Sequence, residues 1–381
     1  MATDLTLLGS KLLKYREQLQ TTPDEVAAAT GMLPDRLLAL EAGTDSPSGD
    51  ELLILADYYH CDYNYFVSGD QAAVFERTQA LYRVHGTEFT KEDRWAIQEF
   101  LFVCECEESL VVSLGVKRDT GFRCRKRGSF LRGQGQEAAA ELRAFLDYDA
   151  NVVGTDIYAD LRRLGMHVFR RRLGNSNISG IFMAHPSAGK CILVNYDEDV
   201  YRQRFTAAHE AAHAILDDDE GFVVSYYSGE HDLSEVRANA FASRYLVPAE
   251  LLSGLSPHLA WDEQTVVQLA DRLQVNTRTL AIALKEAGRV PQNEADRIAN
   301  LRVPLASKAD PELPDSLSPR SRQRGMEMLQ RGLPPRYVRM CFDAYDQGII
   351  SAGRLAEMLM VDQSDLHEIA DLHGRQLRHE G

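Results

Sequence analysis

Nowhere in the 381 residues does an apolar run approach the length needed to cross a bilayer. The N-terminus also lacks the basic-then-apolar profile of a secretion signal. These absences argue against a membrane protein and lead us to expect a cytoplasmic one. Cysteine is sparse, and the six (Cys61, Cys104, Cys106, Cys124, Cys191 and Cys341) show no paired spacing that would hold structural zinc. Cys104 and Cys106, two apart in an expected helix, point to different faces, so reduced thiols are the simplest reading. Positive charge is also short: 42 Lys and Arg stand against 57 Asp and Glu, a net charge of −15. That balance opposes general affinity for nucleic acid. What remains, 44% hydrophobic and 26% charged, is the composition of a globular chain long enough for two to four domains.

The most informative segment is residues 205–216, FTAAHEAAHAIL, which contains His209-Glu210-x-x-His213. Phe205, Ala208, Ala212, Ile215 and Leu216 recur at helical spacing, so the motif is expected on a helix with a buried side. Residues four apart share a helix face, which lets both imidazoles reach one metal ion. Glu210 sits beside them, where a carboxylate can act as general base toward water. A pair of helical histidines is an ordinary finding unless a third ligand exists. The chain just after His213 has Leu216 where a glycine would bend it back, and then Asp219 rather than histidine. A second helix is the better source. Glu235 stands near its start, Ala238, Phe241, Ala242 and Tyr245 form its apolar face, and Pro248 marks its end. Two imidazoles, one carboxylate and an open fourth position suit a catalytic zinc site, and manganese accepts the same set. Candidates for a second oxyanion donor are Tyr196, Tyr201, Tyr226, Tyr227, His231 and Tyr245. The run Asp217-Asp218-Asp219-Glu220 reads as a solvated loop.

Residues 5–66 read as four or five short helices. Thr22-Pro23-Asp24-Glu25 looks like an N-cap followed by proline in the first turn. Thr30-Gly31 marks a tight turn, and Pro34 opens a helix that ends in Glu41-Ala-Gly43. Helix, glycine turn and helix make a helix-turn-helix pattern. Leu8-Gly9, Arg16-Glu17, Glu25-Val26-Ala27, Glu41-x-Gly43, Leu52-x-x-Leu55-Ala56 and Tyr65-Phe66-Val67-x-Gly69 resemble the Xre/Cro repressor family, and the resemblance implies DNA binding. Residues 1–70 nevertheless carry four basic residues (Lys11, Lys14, Arg16, Arg36) against twelve acidic ones, a balance of −8. The expected recognition helix offers only Asp35 and Arg36 among leucines and alanines, where base and phosphate contacts need cations and amides. Dimerisation, or the grasp of another helix-turn-helix protein, is the alternative use.

Residues 71–135 read as a helical connector whose apolar part (Trp95 to Val112) could pair in a homodimer. It ends in a basic stretch, 117–132, that includes Arg123, Arg125, Lys126 and Arg127. With Phe122 and Phe130 interleaved, that composition suits single-stranded nucleic acid, the alternative being a solvated linker. From 136 to 288 helices at 137–148 and 155–164 precede strand-like runs at 166–170, 178–183 and 190–195. The metal helix, the Glu235 helix and a helical pair (263–272, 277–287) follow. An edge strand beside the metal would pair with an extended peptide, and Gly180-Ile-Phe-Met is one candidate. Residues 289–319 read as a proline-rich linker and 320–381 as a helical C-terminal domain.

Asn195, Phe205-Thr-x-Ala-His209-Glu210-x-x-His213 and Glu235-x-x-Ala238-Asn239-x-Phe241-Ala242-x-x-Tyr-Leu246-Val-Pro248 resemble the ImmA/IrrE metallo-endopeptidases over residues 136–288. The resemblance implies His209, His213 and Glu235 as ligands and Glu210 as general base. It also implies cleavage of a helix-turn-helix repressor or antitoxin that releases stress, DNA-damage or phage functions. One departure is Asp217, where many members carry another histidine. The expected architecture is α+β, mainly α. It consists of an all-α helix-turn-helix domain, a zincin-like peptidase domain with a small sheet, and a helical tail. The competing reading is a DNA-binding regulator whose peptidase-like domain only senses metal or binds a partner.

Overall fold

A computed structural model describes residues 4–61, 63–67, 73–217, 221–226 and 233–377. The chain divides into two compact units: residues 1–109, 173–175 and 344–381 form one, and 110–172 with 176–343 form the other. The fold is mainly helical with one small sheet. No helix among the described residues is long and apolar enough to cross a membrane.

In the first unit α1 (Leu5–Gln18), α2 (Pro23–Thr30), α3 (Pro34–Glu41), α4 (Gly49–Tyr58) and α5 (Asn64–Val67) surround a core of Leu8, Leu12, Val26, Leu37, Leu40, Leu55, Tyr59 and Phe66. Reciprocal capping by Thr22 with Glu25, and by Ser48 with Glu51, fixes where α2 and α4 begin. Gly9 is required where α1 crosses α3, because a Cβ there would stand 2.5 Å from the carbonyl oxygens of Leu40 and Glu41. Two further helices, α6 (Ala73–His85) and α7 (Lys91–Ser113), follow. The apolar stretch of α7, including Ile97, Phe100, Leu101 and Val103, is buried within the chain.

The second unit opens with α8 (Leu131–Phe145) and α9 (Ile157–Arg163) and then builds β1 (His167–Arg171), β2 (Ile178–His185) and β3 (Gly189–Asn195). Next come α10 (Val200–Leu216), β4 (Phe222–Tyr226), α11 (Leu233–Leu246), α12 (Ala249–Ser253), α13 (Glu263–Arg272), α14 (Thr277–Glu286), α15 (Gln292–Ala299), α16 (Pro319–Gln330) and α17 (Pro335–Asp346). The chain re-enters the first unit at Ala344, within α17, and helices α18 (Ala352–Met358) and α19 (Leu366–Leu372) belong to that unit. The sheet order is β1-β3-β2-β4, with β1 parallel to β3 and the other neighbours antiparallel. β4 is the strand that periodicity does not reveal, since a five-residue apolar run carries no diagnostic alternation. Its presence corrects the expectation about the edge: β2 lies inside the sheet, and β4 is the edge strand next to it.

The proline-rich stretch 289–319 is packed structure rather than free chain. Three of its prolines sit at helix starts, Pro291 at the N-cap of α15, Pro304 before a single 3-10 turn and Pro319 in the first turn of α16, and Val303 and Leu313 are buried. Asp310 and Glu312 hold Arg170 of β1, which is fully buried: Arg170 Nη1 donates to Asp310 Oδ2 at 2.8 Å and Nε to Glu312 Oε2 at 2.9 Å. Arg162 donates to the other oxygen of Glu312 at 2.8 Å. Breaking such a buried set from one side leaves uncompensated charge, so Arg170→Met is expected to cost about 3–5 kcal/mol in urea unfolding. A loss below about 1 kcal/mol, the scale of a surface pair, would contradict this account of the segment.

Candidate metal centre

Helix α10 begins at Asp199, whose side chain accepts from the Tyr201 amide at 3.0 Å, and every residue from Thr206 to Ala214 is buried. Ala207, Ala208, Ala211 and Ala212 keep its sides thin enough to pack tightly between the sheet and α11. Into this close-packed setting the helix brings two histidines and a glutamate. That composition makes sense only if they face a polar guest.

The histidines meet Glu235, the third residue of α11. His209 Nε2 lies 3.2 Å from Glu235 Oε2, His213 Nε2 lies 3.2 Å from Glu235 Oε1, and the two Nε2 atoms are 3.2 Å apart. One ligand atom from each residue falls within 4.8 Å of the others, and this is the one such cluster among the described residues. Each imidazole also has a partner on its far side. His209 Nδ1 donates to Asn239 Oδ1 at 3.2 Å, and His213 Nδ1 donates to Asp217 Oδ2 at 3.1 Å. With Nδ1 committed to these partners, both Nε2 atoms face Glu235, to which they can donate when protonated, and would offer their lone pairs to a metal ion when neutral. Burial works against protonation of His213, but hydrogen bonds to Asp217 and Glu235 prevail and push its pKa up to about 10. Burial would raise the Glu235 carboxyl, yet His209 and His213 hold it far below the usual range. The cluster is built around positive charge, and two imidazole nitrogens with one carboxylate match the donors of a divalent ion such as zinc.

Asp217 corrects the reading of the acidic run as solvated. It is buried, accepts from His213, and is paired by Arg237 and by Lys126 Nζ at 3.3 Å. Residues 218–220 lie outside the described residues. Asp217, a departure from the family pattern in sequence, stands behind the ligand His213 in the structure. The signal available was its position four residues after His213, one helical turn on. Asp217→Asn is expected to weaken zinc about 10–100-fold in competition with a chromophoric chelator. An unchanged affinity would detach Asp217 from the site.

Glu210 is fully buried, and neither carboxylate oxygen has a hydrogen-bond partner at normal distance among the described residues. Burial raises its pKa above the usual carboxylate range, against the pull of His209 and His213. β2 passes close by. A Cβ on Gly180 would fall 2.7 Å from Glu210 Oε1 and 2.7 Å from Thr206 Cγ2. Gly180→Ala should therefore displace Glu210 at a cost of about 1–3 kcal/mol in thermal or urea unfolding. Wild-type stability would show that the strand and helix can part.

Of the candidate oxyanion donors, Tyr201 and Tyr245 are committed elsewhere, donating to Asp271 Oδ1 at 2.7 Å and to Asp160 Oδ2 at 2.8 Å. Tyr196 is half-buried beside Arg170, Tyr226 sits on the edge strand β4, and Tyr227 and His231 lie outside the described residues. The residues proposed for nucleic acid are dispersed. Arg123 donates to the carbonyls of Thr120 and Phe122, Arg125 is exposed, and Arg127 lies 3.6 Å from Glu141. Lys126 is drawn to Asp217. Arg36, in the other unit, is held by both oxygens of Glu51 at 2.8 Å, by Asp45, and by the Ser46 carbonyl at 2.9 Å.

Two family models match the chain: a helix-turn-helix over residues 12–66 and the IrrE N-terminal-like domain over residues 161–285. The chain is similar to the radiation response metalloprotease IrrE of Deinococcus deserti, 33% identical over 100 residues, a match covering 25% of this chain and 36% of that protein. Its similarity to the Deinococcus radiodurans protein of the same description is 31% over 105 residues, covering 26% and 32% respectively. The matches thus span about a third of the length of these relatives.

Proposed function

We propose that this chain, which joins a helix-turn-helix domain to an IrrE-like metallopeptidase domain, is a cytoplasmic zinc-dependent endopeptidase that cuts a regulatory protein. The target on this reading is a helix-turn-helix repressor or antitoxin, and its loss switches on a stress, DNA-damage or phage-related response. The radiation response named for both relatives supports that direction. One observation carries the proposal: Glu210 lies fully buried, with no hydrogen bond at normal distance among the described residues, on the same helix as His209 and His213. A site that only stored metal would have no use for that carboxylate.

In this reading His209, His213 and Glu235 hold zinc, with manganese as the second ion the set accepts. When bound, the ion supplies Lewis acidity and lowers the pKa of water to about 7. Glu210 accepts the proton of the attacking water and returns it to the departing amine, and burial tunes its basicity toward neutral pH. Asn239 and Asp217 keep both imidazoles in the tautomer that presents Nε2. The edge strand β4 offers backbone groups to an extended substrate beside the site. The test is incubation of the full chain with helix-turn-helix repressors and antitoxins from the same cell. Cleavage that stops with a chelator and returns with zinc is expected. Cleavage indifferent to the chelator would refute the proposal.

A further inference from the structure

The helix-turn-helix domain has the fold of a DNA reader and a surface of the opposite chemistry. Helix N-termini are where such a domain normally grips phosphates. Here the first turn of α2 carries Asp24 and Glu25, that of α3 Asp35, and that of α4 Asp50 and Glu51. Of the cations that might offset them, Arg36, Arg16 and Lys11 are engaged. Arg36 is clamped by Glu51 and Asp45, Arg16 by Glu41 at 2.7 Å, and Lys11 is buried with Nζ donating to the Tyr65 carbonyl at 2.6 Å. Lys91 of α7 adds no free charge, because it pairs with Glu25. The outward side of α3 carries exposed leucines beside a carboxylate: Leu33, at the N-cap, is 72% exposed and Leu38 is 44% exposed. Asp35, Leu38 and Ala42 recur there at helical spacing, all exposed. Duplex DNA would meet carboxylates and leucines on this side, which costs desolvation and repulsion without base contacts.

We infer that the α2–α3 face of this domain docks a partner protein through a basic amphipathic helix, the chemistry of a DNA-reading helix. Leucines at the centre would take the apolar residues of such a helix, and Asp24 and Asp35 its arginines and lysines. The inference rests on the peptidase reading in one respect: it makes the DNA-binding surface of the substrate its recruitment handle. A partner sitting on its own operator would have that handle covered, so the free form is the one recruited.

The test uses the full chain carrying Glu210→Gln, so that nothing is cut. Fluorescence anisotropy follows a labelled amphipathic peptide with lysines and arginines flanking a leucine face, the same peptide with glutamates in their place, and a labelled DNA duplex. The cationic peptide alone is expected to bind, more weakly as salt rises. Asp35→Lys and Leu38→Lys are each expected to weaken it about tenfold, about 1.4 kcal/mol. Glu263→Lys, a charge reversal in the other unit, should leave it unchanged. Both α3 residues are exposed, and unchanged circular dichroism and thermal midpoints would exclude misfolding. Equal binding by Asp35→Lys, preference for the duplex, or self-association abolished by Leu38→Lys would each overturn the inference. Peptide binding needs neither metal nor cleavage, so its failure leaves the peptidase proposal standing. Cleavage failing with docking intact would count against the peptidase alone.

Discussion

Glu210→Gln is expected to keep its zinc while losing about 10²–10⁴-fold in peptide hydrolysis, the usual contribution of a positioned general base. The substitution preserves shape and removes only the capacity to take a proton. None of the distances among His209, His213 and Glu235 depends on it. A second effect follows from burial. The wild-type carboxylate is fully enclosed with no partner among the described residues, an arrangement that costs folding free energy. The metal-free variant should therefore unfold at a higher temperature than the metal-free wild type, as when function has been kept at the expense of stability. Zinc per chain, cleavage rate and thermal midpoint are the three readings. A variant that cuts at the wild-type rate would remove Glu210 from the chemistry, and one that loses zinc would make it part of the metal's support.

His213→Ala is expected to lose both metal and cleavage. A structural zinc site with four protein ligands is worth about 10–16 kcal/mol in apparent binding free energy, or about 2.5–4 kcal/mol per ligand. Removing one ligand should weaken zinc by at least about 10²–10³-fold. The loss extends beyond the missing nitrogen, because His213 also links Glu235 to Asp217. Asp217 itself keeps Arg237 and Lys126, so the fold should survive. Metal analysis after dialysis against a weak chelator gives the answer. One zinc per chain in His213→Ala would sink the site assignment, whatever the activity.

Local spacing made part of this legible in advance. The histidines stand four apart in a helix of small apolar residues, and the side chain of Glu235 does meet them across two helices. Capping residues such as Thr22 and the glycine at residue 31 marked the helix-turn-helix. What escaped was long-range. Asn239 lies 30 residues after His209 in sequence, and Gly180 reaches Glu210 from another element. β4 is too short to betray itself by pattern. The prolines of 289–319 looked like linker signals because proline opens helices as readily as it interrupts them. Charge counts also misled: Arg36 and Lys126 look available in sequence but are engaged by Glu51 and Asp217.

The most direct measurement compares protein N-termini in cells that express the wild-type chain or Glu210→Gln, with and without DNA-damaging stress. The account predicts one new N-terminus, within a helix-turn-helix protein, present with the wild type and absent with Glu210→Gln. Identical N-termini in both strains under stress, with zinc bound to the wild-type chain, would contradict it and leave a metal-binding regulator in its place.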